Sequence, residues 1–196
     1  MTRASLTVAI LAGGAATRLQ GRDKGLEPLL GRPLVEWVLE AVATAQAART
    51  LIVANRNHQA YSAFAPVVAD DLAGFRGPLA GVAAALAAAA TPWLMTVPVD
   101  CPRSPADLAA RLYTAAQENP ADAVVAHDGA RRQPLFAIYR RELTSSAAAA
   151  AAQGWGVQHW QTTIGARELD FADRRAQFRN LNTPEEFAAY AAEHAR

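Results

Sequence analysis

Leu6-Thr7-Val8-Ala9-Ile10-Leu11-Ala12-Gly13-Gly14 opens the chain with a short apolar run halted by two glycines. Such a run predicts a strand buried on both faces. Working outward, Thr50–Ala54, Val67–Ala69, Trp93–Val97 and Ala123–Ala126 read as further strands, and Leu135–Tyr139 as one that could join antiparallel. Between them, Leu34–Ala47 places Leu34, Trp37, Val38, Ala41, Val42 and Ala45 on one helical stripe, with Pro33 at its first turn. Pro78–Ala90 reads as a helix of small residues, and the alanine runs Ala83–Ala90 and Ala147–Ala152 as packed helices. Ser104 is placed to cap a helix with Pro105 at its first position. Thr183-Pro184-Glu185-Glu186 forms a capping box before a last helix. This alternation predicts an α/β fold in three layers, a mostly parallel twisted sheet with helices on both faces, Rossmann-like, in a single domain spanning 1–196. In such sheets ligands bind beyond the carboxyl ends of the strands. The loops after Leu11, Ala54, Ala69 and Val97 are therefore the places to look for chemistry.

The composition narrows the classes. Apolar residues make up 52% and charged residues 19%, which suits a globular chain. Nineteen basic against 18 acidic side chains give a net charge of +1, which argues against a general nucleic-acid or membrane-surface binder. The lone cysteine, Cys101, permits neither a disulfide framework nor a paired-cysteine zinc pattern within the chain and fits a reducing compartment. The apolar run near the N-terminus is short and meets Gly13-Gly14 and then Arg18, with no small-residue cleavage site, so the expectation is a cytoplasmic protein without a secretion signal.

The first loop carries Gly13-Gly14, then Arg18, Arg22, Asp23, Lys24 and Gly25. Glycines let backbone N–H groups approach phosphate oxygens with no Cβ in the way, and Arg18 and Lys24 supply charge for a polyphosphate. Neither the P-loop nor the G-x-G-x-x-G spacing is present. Asn55 and Asn57 follow the second strand; an Asn side chain has both the donor and the acceptor that reading a guanine edge requires, and equally makes turns. Asp70-Asp71 precede Gly77-Pro78-Leu79-Ala80-Gly81. Asp100 stands just beyond the Trp93–Val97 strand, where one carboxylate together with phosphate oxygens and waters suffices for magnesium. Cys101 beside it reads as a small structural residue. His127-Asp128-Gly129 and Arg131-Arg132-Gln133-Pro134 form a basic, amide-bearing loop that is also a natural hairpin turn. Asn180 and Asn182 precede the last helix. Trp155, Trp160 and Phe171 could stack on a ring system, although packing is their more ordinary work.

The stretch from Leu11 to Leu34, together with the ordered motifs Gly77-Pro78-Leu79-Ala80-Gly81, Asp100-Cys101-Pro102, Asp128-Gly129 to Pro134 and Asn180 to Glu186, resembles the molybdenum cofactor guanylyltransferases within the wider nucleotidyltransferase superfamily. The Asp23-Lys24-Gly25 triplet favours that branch over the sugar nucleotidyltransferases; the family usually carries Met-Gly-Gly where this chain has Leu19-Gln20-Gly21. The resemblance implies the nucleotidyltransferase fold and transfer of GMP from GTP to molybdopterin, with pyrophosphate leaving. It implies that Leu11, Ala12, Gly13 and Gly14 wrap the nucleotide, that Arg18 and Lys24 face its phosphates, and that Asn55 and Asp70 bind the nucleoside. It implies that Gly77 belongs to the turn beside them, that Asp100 holds Mg²⁺ (Mn²⁺ as the alternative ion), and that Asn180 and Asn182 touch ligand or metal. Arg18, Lys24 and Asp100 are then the catalytic set. Expected partners are GTP and molybdopterin, with molybdoenzymes, their chaperones and other cofactor-biosynthesis proteins as recipients, and no nucleic acid or membrane. The alternatives are a cytidylyltransferase for the same pterin, a sugar-phosphate nucleotidyltransferase, and a nucleotide-binding adaptor that does no chemistry.

Overall fold

A computed structural model describes residues 5–13, 23–69 and 77–194. Its centre is a seven-stranded sheet. The strands are β1 (Leu6–Leu11), β4 (Arg49–Val53), β5 (Val67–Val68), β6 (Trp93–Pro98), β7 (Ala123–His127), β8 (Arg132–Arg140) and β9 (Arg167–Asp170), in the spatial order β5-β4-β1-β6-β8-β7-β9. All neighbours are parallel except β8, which runs antiparallel between β6 and β7. A two-stranded ribbon, β2 (Pro28–Leu29) and β3 (Arg32–Pro33), lies apart from it.

Every residue of β1 and β6 is buried, as a sheet covered on both faces requires. Alternation along β1 sorts the two cores. Leu6, Val8 and Ile10 join α1 (Leu34–Val42), Tyr61 of α2 (His58–Ser62) and α4 (Leu108–Glu118) on one face. Ala9 and Leu11 face the other side with α3 (Pro78–Ala88), α5 (Thr144–Ala152) and α6 (Val157–Thr163). That second face is rich in alanine from both layers, so the α3 and α5 backbones can sit close to the sheet. Trp160 and Phe171 are fully buried core residues, and Trp155 packs on the core edge. α7 (Pro184–His194) rests through Phe187 and Tyr190 on Leu29, Leu34 and Leu181.

Most strand ends and the end of α3 shift by one or two residues from the sequence reading, and three boundaries differ for a clear reason. α1 stops at Val42, and a 3-10 turn over Ala43–Ala45 ends at Gln46, whose left-handed backbone (φ 48°) cannot continue the helix. α4 begins at Leu108, not at Pro105: a turn closed by Leu108 N–H on the Pro105 carbonyl comes first, and Asp107 takes the cap position from Ser104. β8 is longer than Leu135–Tyr139 and is indeed antiparallel; its register against β7 shifts between Val125 and Ala126. The capping box forms as expected, with Glu186 N–H donating to Thr183 Oγ1 and Thr183 N–H to Glu186 Oε2. Among the described residues no helix is long and apolar enough to cross a membrane.

Candidate active site

Register brings three strand ends level. Leu11 sits opposite Val53 on one side and Pro98 on the other. The exits are stitched together by Ala12 N–H to the Val53 carbonyl (2.8 Å) and Val99 N–H to the Leu11 carbonyl (3.1 Å). Ala12-Gly13, Ala54-Asn55 and Val99-Asp100 therefore leave the sheet side by side. At Gly13 a Cβ would meet nothing nearer than the Val53 carbonyl at 4.0 Å, so the surrounding described residues leave that backbone open to a ligand. Gly77 has φ +80°, a conformation that only glycine adopts without strain, and turns the chain into α3 with Pro78 at its first position. Gly14, Arg18 and Asp70 lie outside the described residues.

Lys24 reaches across this surface. Its Nζ donates to Asp100 Oδ2 at 3.1 Å and to Asn182 Oδ1 at 2.8 Å. The partners come from the β6 exit and the entry to α7, positions 76 and 158 residues away in the chain. Leu181 N–H, donating to the Asp100 carbonyl at 2.8 Å, ties those two segments together. Asp100 Oδ1 and Asn180 Oδ1 are buried and accept no hydrogen bond among the described residues. A buried oxygen without a hydrogen bond is costly unless something else satisfies it. Lys24, Asp100 and Asn182 thus meet directly, and Asn180 stands two residues before Asn182 in the chain.

The placement of Lys24 depends on Asp23, which the sequence reading named only as part of the Asp23-Lys24-Gly25 triplet and gave no role of its own. Asp23 caps the 3-10 turn Lys24–Leu26 through Gly25 N–H (3.2 Å). The same buried carboxylate accepts from the Tyr61 hydroxyl at 2.5 Å and the Asn57 amide at 2.9 Å, with Arg56 Nε at 3.7 Å. Asn57, the reserve candidate for reading a base, is therefore turned inward on Asp23 from a left-handed backbone (φ 53°). Asn55 is half-buried at the start of the loop. Burial and the Asp23 carboxylate raise the Tyr61 hydroxyl well above its ordinary value, so it stays a proton donor. Cys101 is buried and donates to the Gln177 carbonyl at 3.2 Å, and burial, assisted by Asp100, pushes its thiol up to about 12. It is no nucleophile at neutral pH.

The second-half loop is mostly occupied with itself. Asp128 accepts from the Ala130 and Arg131 N–H groups, both at 2.8 Å, and from Gln133 Nε2 at 2.6 Å. Arg132 is held by Glu168 and Thr162, and His127 Nδ1 accepts from Gly129 N–H. Arg131, 3.9 Å from Asp128 through its Nε, faces open space. It lines a cleft of about 910 Å³ with Arg103, Arg175, Arg179 and Tyr190, bounded by the β7–β8 turn, the segment before Asn180 and α7. Arg179 is paired with Glu193 across the same cleft.

Residues 8–166 match the model of the MobA-like NTP transferase domain. The chain belongs to this family. Among its relatives, the molybdenum cofactor guanylyltransferase of Vibrio cholerae is 40% identical over 186 residues, covering 94% of this chain and 91% of that one. The protein of the same name from Shewanella amazonensis is 40% identical over 90% of this chain and 91% of its own length. The crystal structure of molybdopterin-guanine dinucleotide biosynthesis protein A from Archaeoglobus fulgidus superposes with a TM-score of 0.79 at 24% identity, over 96% of this chain and 98% of that one. The 2-C-methyl-D-erythritol 4-phosphate cytidylyltransferase of Thermus thermophilus shares the fold at a TM-score of 0.67 and 19% identity, with both chains fully covered. In this MobA-like transferase, then, the mostly parallel sheet is the nucleotidyltransferase fold.

Proposed function

We propose that this chain transfers GMP from GTP to the phosphate of molybdopterin, giving molybdopterin guanine dinucleotide and pyrophosphate, as a single cytoplasmic nucleotidyltransferase domain. The observation that carries this reading is the Lys24–Asp100–Asn182 cluster at the level strand ends. The names of relatives about 40% identical over nine-tenths of the chain choose the substrates.

In this reading GTP lies across the β1 and β4 exits, with its phosphates against the Gly13-Gly14 backbone and Arg18, and its nucleoside near Asn55 and Asp70. Lys24 moves from Asp100 to the α-phosphate and offsets the charge that grows there. The attacking molybdopterin phosphate is already ionised, so no side chain need remove a proton. The arginine-lined cleft beside Asn180 suits an anionic acceptor, with Arg103, Arg131 and Arg175 as its charge.

The chemistry of two side chains would suit a divalent ion. Asp100 Oδ1 and Asn180 Oδ1 are hard oxygen donors, buried and without hydrogen bonds among the described residues. These two side chains would hold Mg²⁺, which when bound supplies Lewis-acid neutralisation of the phosphates. The test is pyrophosphate release with Mg²⁺ and molybdopterin, comparing GTP, CTP and ATP. GTP-selective release is expected. Release with CTP in its place would move the protein to the cytidylyl alternative, and none with any nucleotide would favour the adaptor.

A further inference from the structure

We propose that Asp23 is a positioning residue that couples the loop proposed to read the nucleobase to the side chain of Lys24. The inference rests on the GTP reading above and extends it to how base choice reaches the reacting phosphate.

Three facts carry it. First, Asp23 immediately precedes Lys24 and caps the turn that sets the direction of its side chain. Second, among the described residues, apart from Gly25 N–H, the groups that hold the Asp23 carboxylate come from the segment after β4: Arg56, Asn57 and Tyr61. Asn55 begins that segment, so the base-side loop and the phosphate-side turn share one buried carboxylate. Third, the fit between them is tight. A Cβ on Gly25 would collide with the Tyr61 hydroxyl and come within 2.9 Å of Val99 Cγ2. A mere tie between two loops could be apolar. A buried carboxylate with several directed donors is more demanding, because its geometry fails if any partner shifts. A displacement at residues 55–57 on seating a base must therefore pass to Asp23 and on to Lys24. Misplacement by about 1 Å at a reacting centre can cost on the order of 100-fold in rate.

The coupling predicts that the base is felt in kcat as well as in KM. The probe is inosine triphosphate, which lacks the guanine amino group, compared with GTP in the wild-type protein and in the Asp23→Asn and Tyr61→Phe variants with molybdopterin and Mg²⁺. In the wild type, removal of the amino group should lower kcat together with kcat/KM. In Asp23→Asn, kcat with GTP should fall about 10- to 100-fold, and the kcat difference between the two nucleotides should disappear, leaving a difference in KM alone. Tyr61→Phe keeps the ring in the core and should show the same pattern more weakly, which preserves the test if Asp23→Asn folds poorly. Wild-type kcat in both variants would overturn the proposal. So would an equal loss of kcat with both nucleotides that leaves their ratio intact, since that is a structural tie only. Absence of GTP turnover in the wild-type protein would instead overturn the functional reading, and this inference with it.

Discussion

Lys24 Nζ lies 3.1 Å from Asp100 Oδ2, while the other oxygen of that carboxylate is buried and accepts no hydrogen bond among the described residues. The pair is half satisfied, which makes it a better site for a ligand than a brace for the fold. Both side chains retain some exposure, 25% and 18%, so the ion pair itself contributes roughly 0–1 kcal/mol. Lys24→Ala and Asp100→Ala should therefore each reduce kcat/KM by about 100-fold or more, while thermal unfolding shifts little. Asp100→Ala also removes a bare buried oxygen, so an unchanged or slightly higher midpoint is expected. A variant of either kind with full activity would contradict the assigned roles.

Asn182 and Glu186 separate function from stability within one short motif. The Asn182 side chain accepts from Lys24, whereas its backbone N–H and that of Thr183 donate to Glu186. Asn182→Ala should lower activity about tenfold or more through loss of a hydrogen bond to a charged group and leave the helix cap intact. Thr183→Ala should cost about 0.5–2 kcal/mol in chemical denaturation with a smaller effect on turnover. The reverse pattern would assign Asn182 to the cap.

Gly25 should tolerate no side chain. Gly25→Ala is expected to cost about 1–3 kcal/mol through overpacking against Tyr61 and Val99. Much of that should return in the Gly25→Ala/Tyr61→Phe double variant, where the colliding hydroxyl is gone. Additive losses in a denaturation cycle would show that the collision is not the cause.

Asp128 should make folding stability depend on acid pH. Burial opposes ionisation, but the Arg131 and Ala130 N–H groups and the Gln133 amide outweigh it and hold the carboxyl below its ordinary 3.8. A depressed carboxyl pKa contributes stability that is present above the unfolded value and lost as pH falls through the folded one. The stability gap between the wild type and Asp128→Asn should be full at pH 6 and close below about pH 4. A gap that persists unchanged at the acid end would rule out the ionised carboxylate as its source.

Much of this molecule was legible in the sequence where local chemistry speaks. A run such as Leu6–Leu11 stopped by glycines can hardly be anything but a buried strand, and the capping box at Thr183–Glu186 is a local hydrogen-bond pattern that forms as read. Lys24, Asp100 and Asn182 could be named because each sits in a motif, and the sheet then brings them together. The Asp23–Tyr61 bond could not: Tyr61 stands 38 residues away on a five-residue helix with no motif of its own. β9 escaped notice because Arg167-Glu168-Leu169-Asp170 alternates charge around a single apolar residue at the sheet edge. α6 escaped for a related reason: only Val157, Trp160 and Gln161 of its seven residues are buried, too brief a pattern to show a period. The second-half loop read in sequence both as a binding loop and as a hairpin turn; Gln133 is turned onto Asp128 within the turn and Arg132 onto Glu168 of β9.

The most direct measurement is the fate of the α-phosphorus. GTP labelled there should be incubated with the purified protein, Mg²⁺ and molybdopterin, and the products separated. The account predicts that the label moves into a guanine dinucleotide of the pterin, one pyrophosphate appearing for each, and that this transfer is lost in Asp100→Ala. Label that stays in GTP with folded wild-type protein, or that moves equally well without molybdopterin, would contradict it.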